Sequence, residues 1–364
     1  EDVSEVLSRY PRGKNFLKFA MYNFPPAKVF EWFESHGVPL KMEPDMRVFP
    51  ESNNGKDVVK VFENIFKENA VKILLRHNLI NVQKNGKLFE LEFADGSLIK
   101  ADRLVLTTGG QAYRQTGSSG DGYSFAKNLG HTVSDLAPSL NAFILKEKWV
   151  KELAGVSFKN CRLKIEETAV HGTARRSGMH EFRGDFIFTH KGVSGPAVFA
   201  ISSLAAFELT NSQREVKLFV DFFPDLNYEK LKAVIVERWQ KSPGKFCTNI
   251  LDSIIPLSLA KILCQELAIK PDKKLGEIAK HEMNRMVEFL KNMSLTIVGN
   301  AAGEEFVTAG GINLNEVDAK TMQSKIVPNL YFCGEIIYVD GESGGFNLQW
   351  AWSSGHLAGM AANL

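Results

Sequence analysis

The chain is poor in cysteine, and the spacing of the few it has excludes two kinds of structural site. Only four cysteines occur in 364 residues, and none lies in a CxxC pair. Neither a metal site nor a disulfide framework is therefore predicted, and buried, reduced thiols in a cytoplasmic protein are expected instead. The four are Cys161, Cys247, Cys264 and Cys333.

Charge excess and long apolar runs are also missing. The formal net charge is +2, and no basic stretch interleaved with aromatic residues occurs, so no nucleic-acid partner is expected. No apolar run approaches the roughly 20 residues that span a bilayer, so no membrane association is expected either. Hydrophobic residues make up 44% of the chain, enough for the cores of two or three domains.

The most informative stretch that is present lies near the C-terminus. An apolar segment, 330–332, is typical of a buried strand, and a glycine-rich turn and an apolar helix after Phe346 follow it. A strand, a glycine turn and a helix N-terminus place backbone N–H groups around an anion. An ordinary crossover turn is the alternative, because any tight turn needs glycine. The candidate ligand-binding residues here are Gly334, Glu335, Gly344, Gly345, Phe346, Asn347 and Leu348.

A second glycine-rich loop favours the ligand-binding interpretation. Residues 103–107 are predicted to form a buried strand, and a polar loop then leads to a helix near Tyr123. Serines 118 and 119 and Asp121 are expected to supply N-cap oxygens, while the glycines let the backbone approach a ligand. The candidate residues of this loop are Thr108, Gly109, Gly110, Thr116, Gly117 and Asp121.

Long sequence blocks in a fixed order carry a family resemblance. They occupy residues 9–20 (RYPRGKNFLKFA), 36–50, 107–131 (TTGGQAYRQTGSSGDGYSFAKNLGH), 188–198, 304–335 and 341–359 (GESGGFNLQWAWSSGHLAG). In these blocks the chain resembles the YhiN/BaiN-type flavoproteins. These are FAD-dependent oxidoreductases that include enzymes called aminoacetone oxidases and bile-acid dehydroxylation reductases.

The resemblance implies an α/β fold with three parts. A Rossmann-like FAD-binding domain is expected at residues 1–137 and 313–364. A β-rich, barrel-like substrate domain is expected at 138–226 and 293–312, where strand-like runs at 140–145, 161–166, 169–171, 181–188 and 216–220 are separated by polar turns. Helical patterns at 227–292, interrupted by Ser242-Pro243-Gly244, predict a small helical insert.

The resemblance also implies the chemistry. FAD is the expected cofactor, with Leu79 near its adenine and Glu335 accepting hydrogen bonds from sugar hydroxyls. The flavin would be reduced by a small organic substrate or by transiently bound NAD(P)H, and reoxidised by an organic acceptor or by dioxygen. Since the isoalloxazine ring carries the redox chemistry, the protein is expected mainly to hold and shield it.

One departure from the family pattern concerns the beginning of the chain. Members of the family begin with a strand, a GxGxxG-like turn and a helix, whereas no such turn follows a strand in the first hundred residues here. We expect the native protein to carry that segment upstream of Glu1. Downstream, a helix at 57–69, a strand at 71–75, and hairpin turns at Asn85-Gly86 and Asp95-Gly96 are predicted.

Two residues outside the glycine loops are candidates for chemistry. His190, in the run FTHKGVSGP, could exchange a proton near neutral pH, or simply pack against its surroundings. Arg47 could pair with a carboxylate or the flavin edge, although a surface salt bridge is the simpler interpretation. Pro196 is predicted in the first turn of a helix ending at Leu204, with Ser194 as its N-cap.

Two other classes of function remain open. The chain could be a flavin-bound binding protein, for example one associated with RNA, in which redox activity is incidental. It could also be a degenerate flavoprotein that has lost FAD. Gly109, Gly110, Glu335, Gly344 and Gly345 argue against degeneration, because a disused site need not keep them.

Overall fold

The computed structural model describes residues 2–166, 179–211, 215–241, 246–274, 277–301, 303 and 305–363. The chain divides into two compact units. Unit 1 comprises Glu1–Ala137 and Val307–Leu364, and unit 2 comprises Pro138–Phe306. The predicted strand at 169–171 and the predicted turn at 242–244 lie outside the described residues. Within those residues no helix is long and apolar enough to cross a membrane.

The helices of the described residues vary in length, and the last is the longest. They are α1 (Val3–Ser8), α2 (Lys18–Asn23), α3 (Pro26–Ser35), α4 (Gly55–Glu68), α5 (Asp121–Asn128), α6 (Pro196–Leu204), α7 (Ala206–Asn211), α8 (Tyr228–Gln240), α9 (Cys247–Leu251), α10 (Leu257–Glu266), α11 (Lys280–Lys291) and α12 (Phe346–Ala362). Pro26 begins α3, where its missing N–H is not needed, and the Asn54 side chain accepts from Lys56 N–H to cap α4.

The strands fall into five groups of hydrogen-bonded neighbours. They are β1 (Leu40–Met42), β2 (Val48–Pro50), β3 (Leu79–Asn85), β4 (Leu88–Phe93), β5 (Leu98–Ala101), β6 (Leu104–Leu106), β7 (Ala137–Ser139), β8 (Phe143–Leu145), β9 (Ser157–Glu166), β10 (Met179–Phe188), β11 (Gly192–Ser194), β12 (Val216–Asp221), β13 (Met293–Asn300), β14 (Val307–Ala309) and β15 (Leu330–Phe332).

Unit 1 contains a parallel strand pair and two antiparallel sheets. β6 pairs with β15 in parallel, with Leu104 opposite Leu330 and Leu106 opposite Phe332. β3, β4 and β5 form a meander, and β1 pairs with β2. The meander turns at Gly86 and Gly96, both of which have positive φ, so the two predicted hairpin turns are confirmed.

The predicted strand at 71–75 is wrong. The helix before it is confirmed as α4, but this segment has no strand partner among the residues described. Val71, Ile73 and Leu75 are all exposed. An apolar, β-branched composition favours a strand only where a neighbouring strand can take up its backbone hydrogen bonds, and local pattern does not reveal whether one exists.

Unit 2 is built on a closed, six-stranded antiparallel barrel. Its strands neighbour one another in the order β10, β11, β8, β13, β12 and β9, so the predicted barrel-like character is confirmed. Strand alternation sends Leu163, Ile165, Leu218 and Val220 into a fully buried core. Helices α8 to α11 lie in the region 227–292, and their apolar faces belong to the same core.

The cysteines are confirmed as buried free thiols. Cys247 and Cys264 lie in the core of unit 2 with their sulfur atoms 3.8 Å apart. Cys333 follows β15 in unit 1, where burial raises the pKa of its thiol to about 11. No group of side chains suited to hold a metal ion occurs in the described parts of the chain.

Candidate functional site

The two predicted glycine-rich loops begin at the same edge of the parallel strand pair. β6 leads directly into the loop that starts at Thr107, and β15 leads through Cys333 into a 3-10 turn at Gly334–Ile336. The Cys333 N–H donates to Leu106 O at 3.4 Å, which continues the pairing to the ends of both strands. Carboxyl ends of parallel strands are where α/β folds bind ligands, so this edge is the candidate site.

Glu335 is a partly buried carboxylate at this edge. Its Oε1 accepts a hydrogen bond from Thr308 N–H at 2.8 Å. Burial is the main reason why the pKa of the Glu335 carboxyl lies above its ordinary value, although the Thr308 hydrogen bonds oppose the shift. A Cβ atom on Gly110 would collide with Glu335 Oε1 and Thr308 Oγ1, so only glycine allows the two loops to approach this closely.

The loop after β6 is held by its own backbone and side chains. Ser118 Oγ donates to Gly110 O at 3.0 Å, and Gln111 N–H donates to Thr308 Oγ1 at 2.8 Å. Thr116 Oγ1 donates to Tyr113 O at 2.8 Å. Gly109 and Gly117 have φ values of 68° and 97° with no close neighbour for an added Cβ, so these two glycines serve the turn conformation.

The predicted N-cap of the helix after this loop is wrong. Gly120, with φ of 83°, precedes α5, and no side chain caps the helix. Neither the serines nor Asp121 takes that role, because the left-handed Gly120 aims the loop differently from an extended N-cap residue. Helix α5 instead packs against Thr108, since a Cβ on Gly122 would collide with Thr108 Oγ1.

The glycine turn before α12 is closed by Asn347. Asn347 Oδ1 accepts from Gly341 N–H at 2.8 Å and its Nδ2 donates to Gly341 O at 2.9 Å. Gly344 and Gly345 have φ values of 135° and 90°, and Gly345 precedes the helix without a side-chain cap. Phe346 begins the helix as predicted, and Leu348 in its first turn is exposed. A 17-residue helix thus offers uncapped N–H groups at its positive end.

Trp350 fastens α12 to the end of β15. The Trp350 Nε1–H donates to Gly334 O at 2.9 Å, and Ser354 Oγ accepts from Gly334 N–H at 2.9 Å. Trp350 is buried in the unit 1 core. Leu79 lies at the start of β3, half-buried and packed against the same core.

The sequence did not predict a salt bridge beside the glycine turn that precedes α12. Arg12 donates through Nε to Asp340 Oδ1 at 2.6 Å and through Nη2 to Asp340 Oδ2. Asp340 is 0% exposed. Tyr10 Oη donates to Phe346 O at 2.6 Å, so the segment around Tyr10–Arg12 runs along the turn and covers it. The arginines of the block at 9–20 were visible in the sequence, but their partners lie more than 300 positions away.

The two residues predicted for chemistry outside the glycine loops lie on exposed turns. Arg47 lies in the β1–β2 hairpin with its side chain half-exposed, and its Nε donates to Asp45 Oδ2 at 2.7 Å. Its Nη2 lies 3.7 Å from Glu43 Oε2. His190 is exposed at the turn between β10 and β11 of unit 2. The surroundings of Arg47 are those of a surface ion pair.

The predicted Ser194 cap is also wrong, whereas the helix itself is confirmed. Ser194 ends β11, Gly195 with φ of 105° takes the N-cap position, and no side chain caps α6. Pro196 occupies the first turn and the helix ends at Leu204, as predicted. Pairing of β11 with its neighbours keeps Ser194 in the barrel, one residue short of the cap.

The residues at the edge of β6 and β15 fit a flavin dinucleotide. Helices α5 and α12 both start at glycine-rich turns without side-chain caps, as phosphate-binding helices do. The Tyr123 hydroxyl is buried and has no hydrogen-bond partner. A partly buried acceptor, uncapped N–H groups and an unpaired hydroxyl in one unit are groups with which the hydroxyls and phosphates of FAD could form hydrogen bonds.

Comparison with known proteins places these features in a family. A family model described as the HI0933-like protein Rossmann domain matches residues 1–361. The chain is 31% identical over 348 residues to the 3-dehydro-bile acid delta(4,6)-reductase of Clostridium scindens, which covers 95% of this chain and 82% of that protein. It is 28% identical over 347 residues to the ribosomal RNA dihydrouridine synthase of Escherichia coli, with 94% and 80% covered. A Haemophilus influenzae protein of the latter name is 28% identical over 312 residues, with 84% and 72% covered.

Proposed function

The chain belongs to the HI0933-like family of Rossmann-domain proteins, and we propose that it is an FAD-dependent reductase of conjugated carbon–carbon double bonds. Membership confirms the resemblance to the YhiN/BaiN-type flavoproteins and the Rossmann-type α/β fold class. The chain is a flavin-dependent oxidoreductase. The proposal adds the substrate class, a small organic compound with a double bond next to a carbonyl group, and NADH or NADPH as the reductant.

The observation that carries the proposal is the chemistry shared by the names of the relatives. One name describes a reductase acting at the delta(4,6) position of a 3-dehydro bile acid. The other describes the synthesis of dihydrouridine. Both products result from adding two hydrogens across a double bond conjugated to a carbonyl. Such a bond accepts hydride readily at its far carbon, and a proton from solvent completes the addition.

The residues of unit 1 would hold the cofactor. Glu335 would accept a hydrogen bond from a ribityl hydroxyl, and the uncapped N–H groups at the start of α12 would face an anionic oxygen of FAD. Thr108 to Gly110, Thr116, Gly117 and Asp121 would line the approach from the other loop. When bound, FAD supplies hydride transfer through its isoalloxazine ring. Because the protein's part is to bind, orient and shield the ring, we assign no proton transfer to His190 or Arg47.

The absorption spectrum of the purified protein tests the proposal. We expect a flavin absorption band that bleaches when NADH or NADPH is added without oxygen. Addition of a 3-oxo steroid acid with conjugated double bonds should then restore the band and yield the product with one carbon–carbon double bond fewer. A band that bleaches only with an oxidisable organic donor and returns only with dioxygen would identify an oxidase instead. A folded protein without any flavin band would leave a degenerate or non-catalytic binding protein.

A second candidate is the same reaction on uridine in RNA, which the names of two relatives favour. The net charge of +2 gives this candidate little electrostatic support. Uridine-rich RNA should replace the steroid as the compound that restores the flavin band if this candidate is correct. Binding of that RNA should weaken steeply with salt, since phosphate contacts release counterions.

We also propose a cytoplasmic location. The four cysteines are buried free thiols, which suits a reducing compartment. NADH and NADPH are available there. Fractionation of cells that express the protein would test this proposal, and recovery of the protein outside the cytoplasm would contradict it.

A further inference from the structure

Tyr123 is a buried tyrosine whose hydroxyl has no partner. The residue is 3% exposed, and its Oη finds no hydrogen-bond partner. Among the described residues of unit 1, the Tyr123 hydroxyl is the only buried side-chain polar atom without a hydrogen-bond partner. A buried hydroxyl that is left unpaired is destabilising, and phenylalanine would fill the same space without that cost.

The position of Tyr123 relates this hydroxyl to the candidate site. Tyr123 lies in the first turn of α5, directly after the loop that follows β6. Its side chain packs within the unit 1 core, and a Cβ on Gly120 would lie 3.4 Å from the Tyr123 ring. Tyr123 follows the same loop that contains Gly110, and at Gly110 this loop packs closely against Glu335.

Burial and the charges of two carboxylates determine the protonation state of the hydroxyl. Burial first, and then the negative charges of Glu335 and Asp340, raise the pKa of Tyr123 above its ordinary value. The phenol therefore keeps its proton at physiological pH and acts as a hydrogen-bond donor. A hydrogen-bond donor suits a ligand whose oxygen atoms are acceptors.

We propose that the Tyr123 hydroxyl donates a hydrogen bond to an oxygen of the ribityl–pyrophosphate portion of bound FAD. The inference rests on FAD being the cofactor in the function proposed above. It assigns Tyr123 as a cofactor-binding residue, and it gives a partner to a hydroxyl that has none among the described residues.

Tyr123→Phe in the full chain tests the proposal through binding and stability rather than turnover. Calorimetric titration of flavin-free protein with FAD should give a dissociation constant about tenfold higher than that of the wild type, the size expected for one lost hydrogen bond to an oxygen acceptor. The flavin-free variant should melt at the same temperature as the wild type or higher, because no hydrogen bond of the free protein is lost.

Tyr331→Phe is the matched control. Tyr331 is buried in the same unit, and its Oη donates to Ala361 O at 3.3 Å near the C-terminal end of α12, remote from the glycine turn that begins this helix. This variant should melt at a lower temperature without FAD and bind FAD as the wild type does. Wild-type affinity in Tyr123→Phe, or a melting-temperature loss equal to that of the control, would overturn the proposal. A wild-type protein that binds no FAD would overturn the proposed function as well.

Discussion

The two units obtain their stability in different ways. In unit 2 every barrel strand has two neighbours, and the interior is a continuous apolar core. In unit 1 the strands lie in separate small sheets, and the groups beside the candidate site include buried Asp340 and Tyr123 and partly buried Glu335. Burying such groups costs free energy unless each has a partner. Unit 1 therefore depends on a few specific pairs in addition to its apolar core, as expected where a fold carries a binding site.

The largest effect should follow from breaking the Arg12–Asp340 pair. Asp340→Ala leaves the Arg12 guanidinium, 14% exposed, without its buried counter-charge. Removing one partner of a buried pair costs about 3–5 kcal/mol. We expect unit 1 to lose hydrogen-exchange protection and bound flavin, with peptides of the barrel protected as in the wild type.

Leu218→Ala provides the converse change in unit 2. Leu218 is fully buried in the barrel, and truncating a buried leucine costs about 2–5 kcal/mol. Exchange should then accelerate in the barrel, while the flavin content stays that of the wild type. Equal loss of protection in both units for either variant would contradict the comparison.

A smaller effect is expected for Gly110→Ala. The new Cβ would collide with Glu335 Oε1 and Thr308 Oγ1, which pushes the two glycine loops apart. Overpacking of this kind costs about 1–3 kcal/mol. Urea unfolding should show a reduced unfolding free energy, and flavin content should fall with it.

Gly355→Ala tests whether the loss comes from the site or from glycine replacement as such. Gly355 lies within α12, has no atom within 4 Å of an added Cβ, and does not have positive φ. Alanine at such a helical position is expected to stabilise by about 0.5–1 kcal/mol. A stability gain in Gly110→Ala as well would refute the close approach of the two loops.

The sequence predicted the elements whose pattern is local. The strand at 330–332, the turns at Gly86 and Gly96, and the helix beginning at Phe346 are all present, because periodicity and turn chemistry act within a few residues. The prediction of a strand at 71–75 was wrong, because the pairing of a strand depends on a segment that is distant in the sequence. The prediction of Ser194 as the N-cap of α6 was wrong, because Ser194 is the last residue of β11 and is paired within the barrel.

The candidate site was predictable in its loops but not in its connections. Glycine-rich loops after apolar strands can be recognised from sequence. The hydrogen bond from Thr308 to Glu335 and the pair between Arg12 and Asp340 join residues far apart in the chain, and no spacing rule connects them. In the sequence these side chains also cannot be distinguished from ordinary exposed polar residues, because the sequence does not show which side chains are buried.

The smallest expected effect concerns His131, a buried histidine in unit 1. His131 Nδ1 lies 3.1 Å from Glu316 Oε2, and Nε2 lies 2.8 Å from Ser324 Oγ. Ser324 Oγ accepts N–H groups of Ile326 and Val327, so its own hydrogen is available for His131 Nε2. Nδ1–H then donates to Glu316, and the ring is neutral in this network.

Acidification should therefore weaken unit 1 before unit 2. Burial lowers the pKa of His131 below its ordinary value of 6.5, and this outweighs the opposing attraction of Glu316. The folded protein thus takes up the proton less readily than the unfolded chain, so stability is full above about pH 6.5 and declines as the pH falls below it. In His131→Gln, which keeps an amide for hydrogen bonding but does not titrate, this decline should disappear between pH 7.5 and 5.5, a window set around the histidine's ordinary pKa. Hydrogen exchange of unit 1 peptides measures this loss of stability with falling pH. A decline of equal size in His131→Gln would assign the loss to other titratable groups.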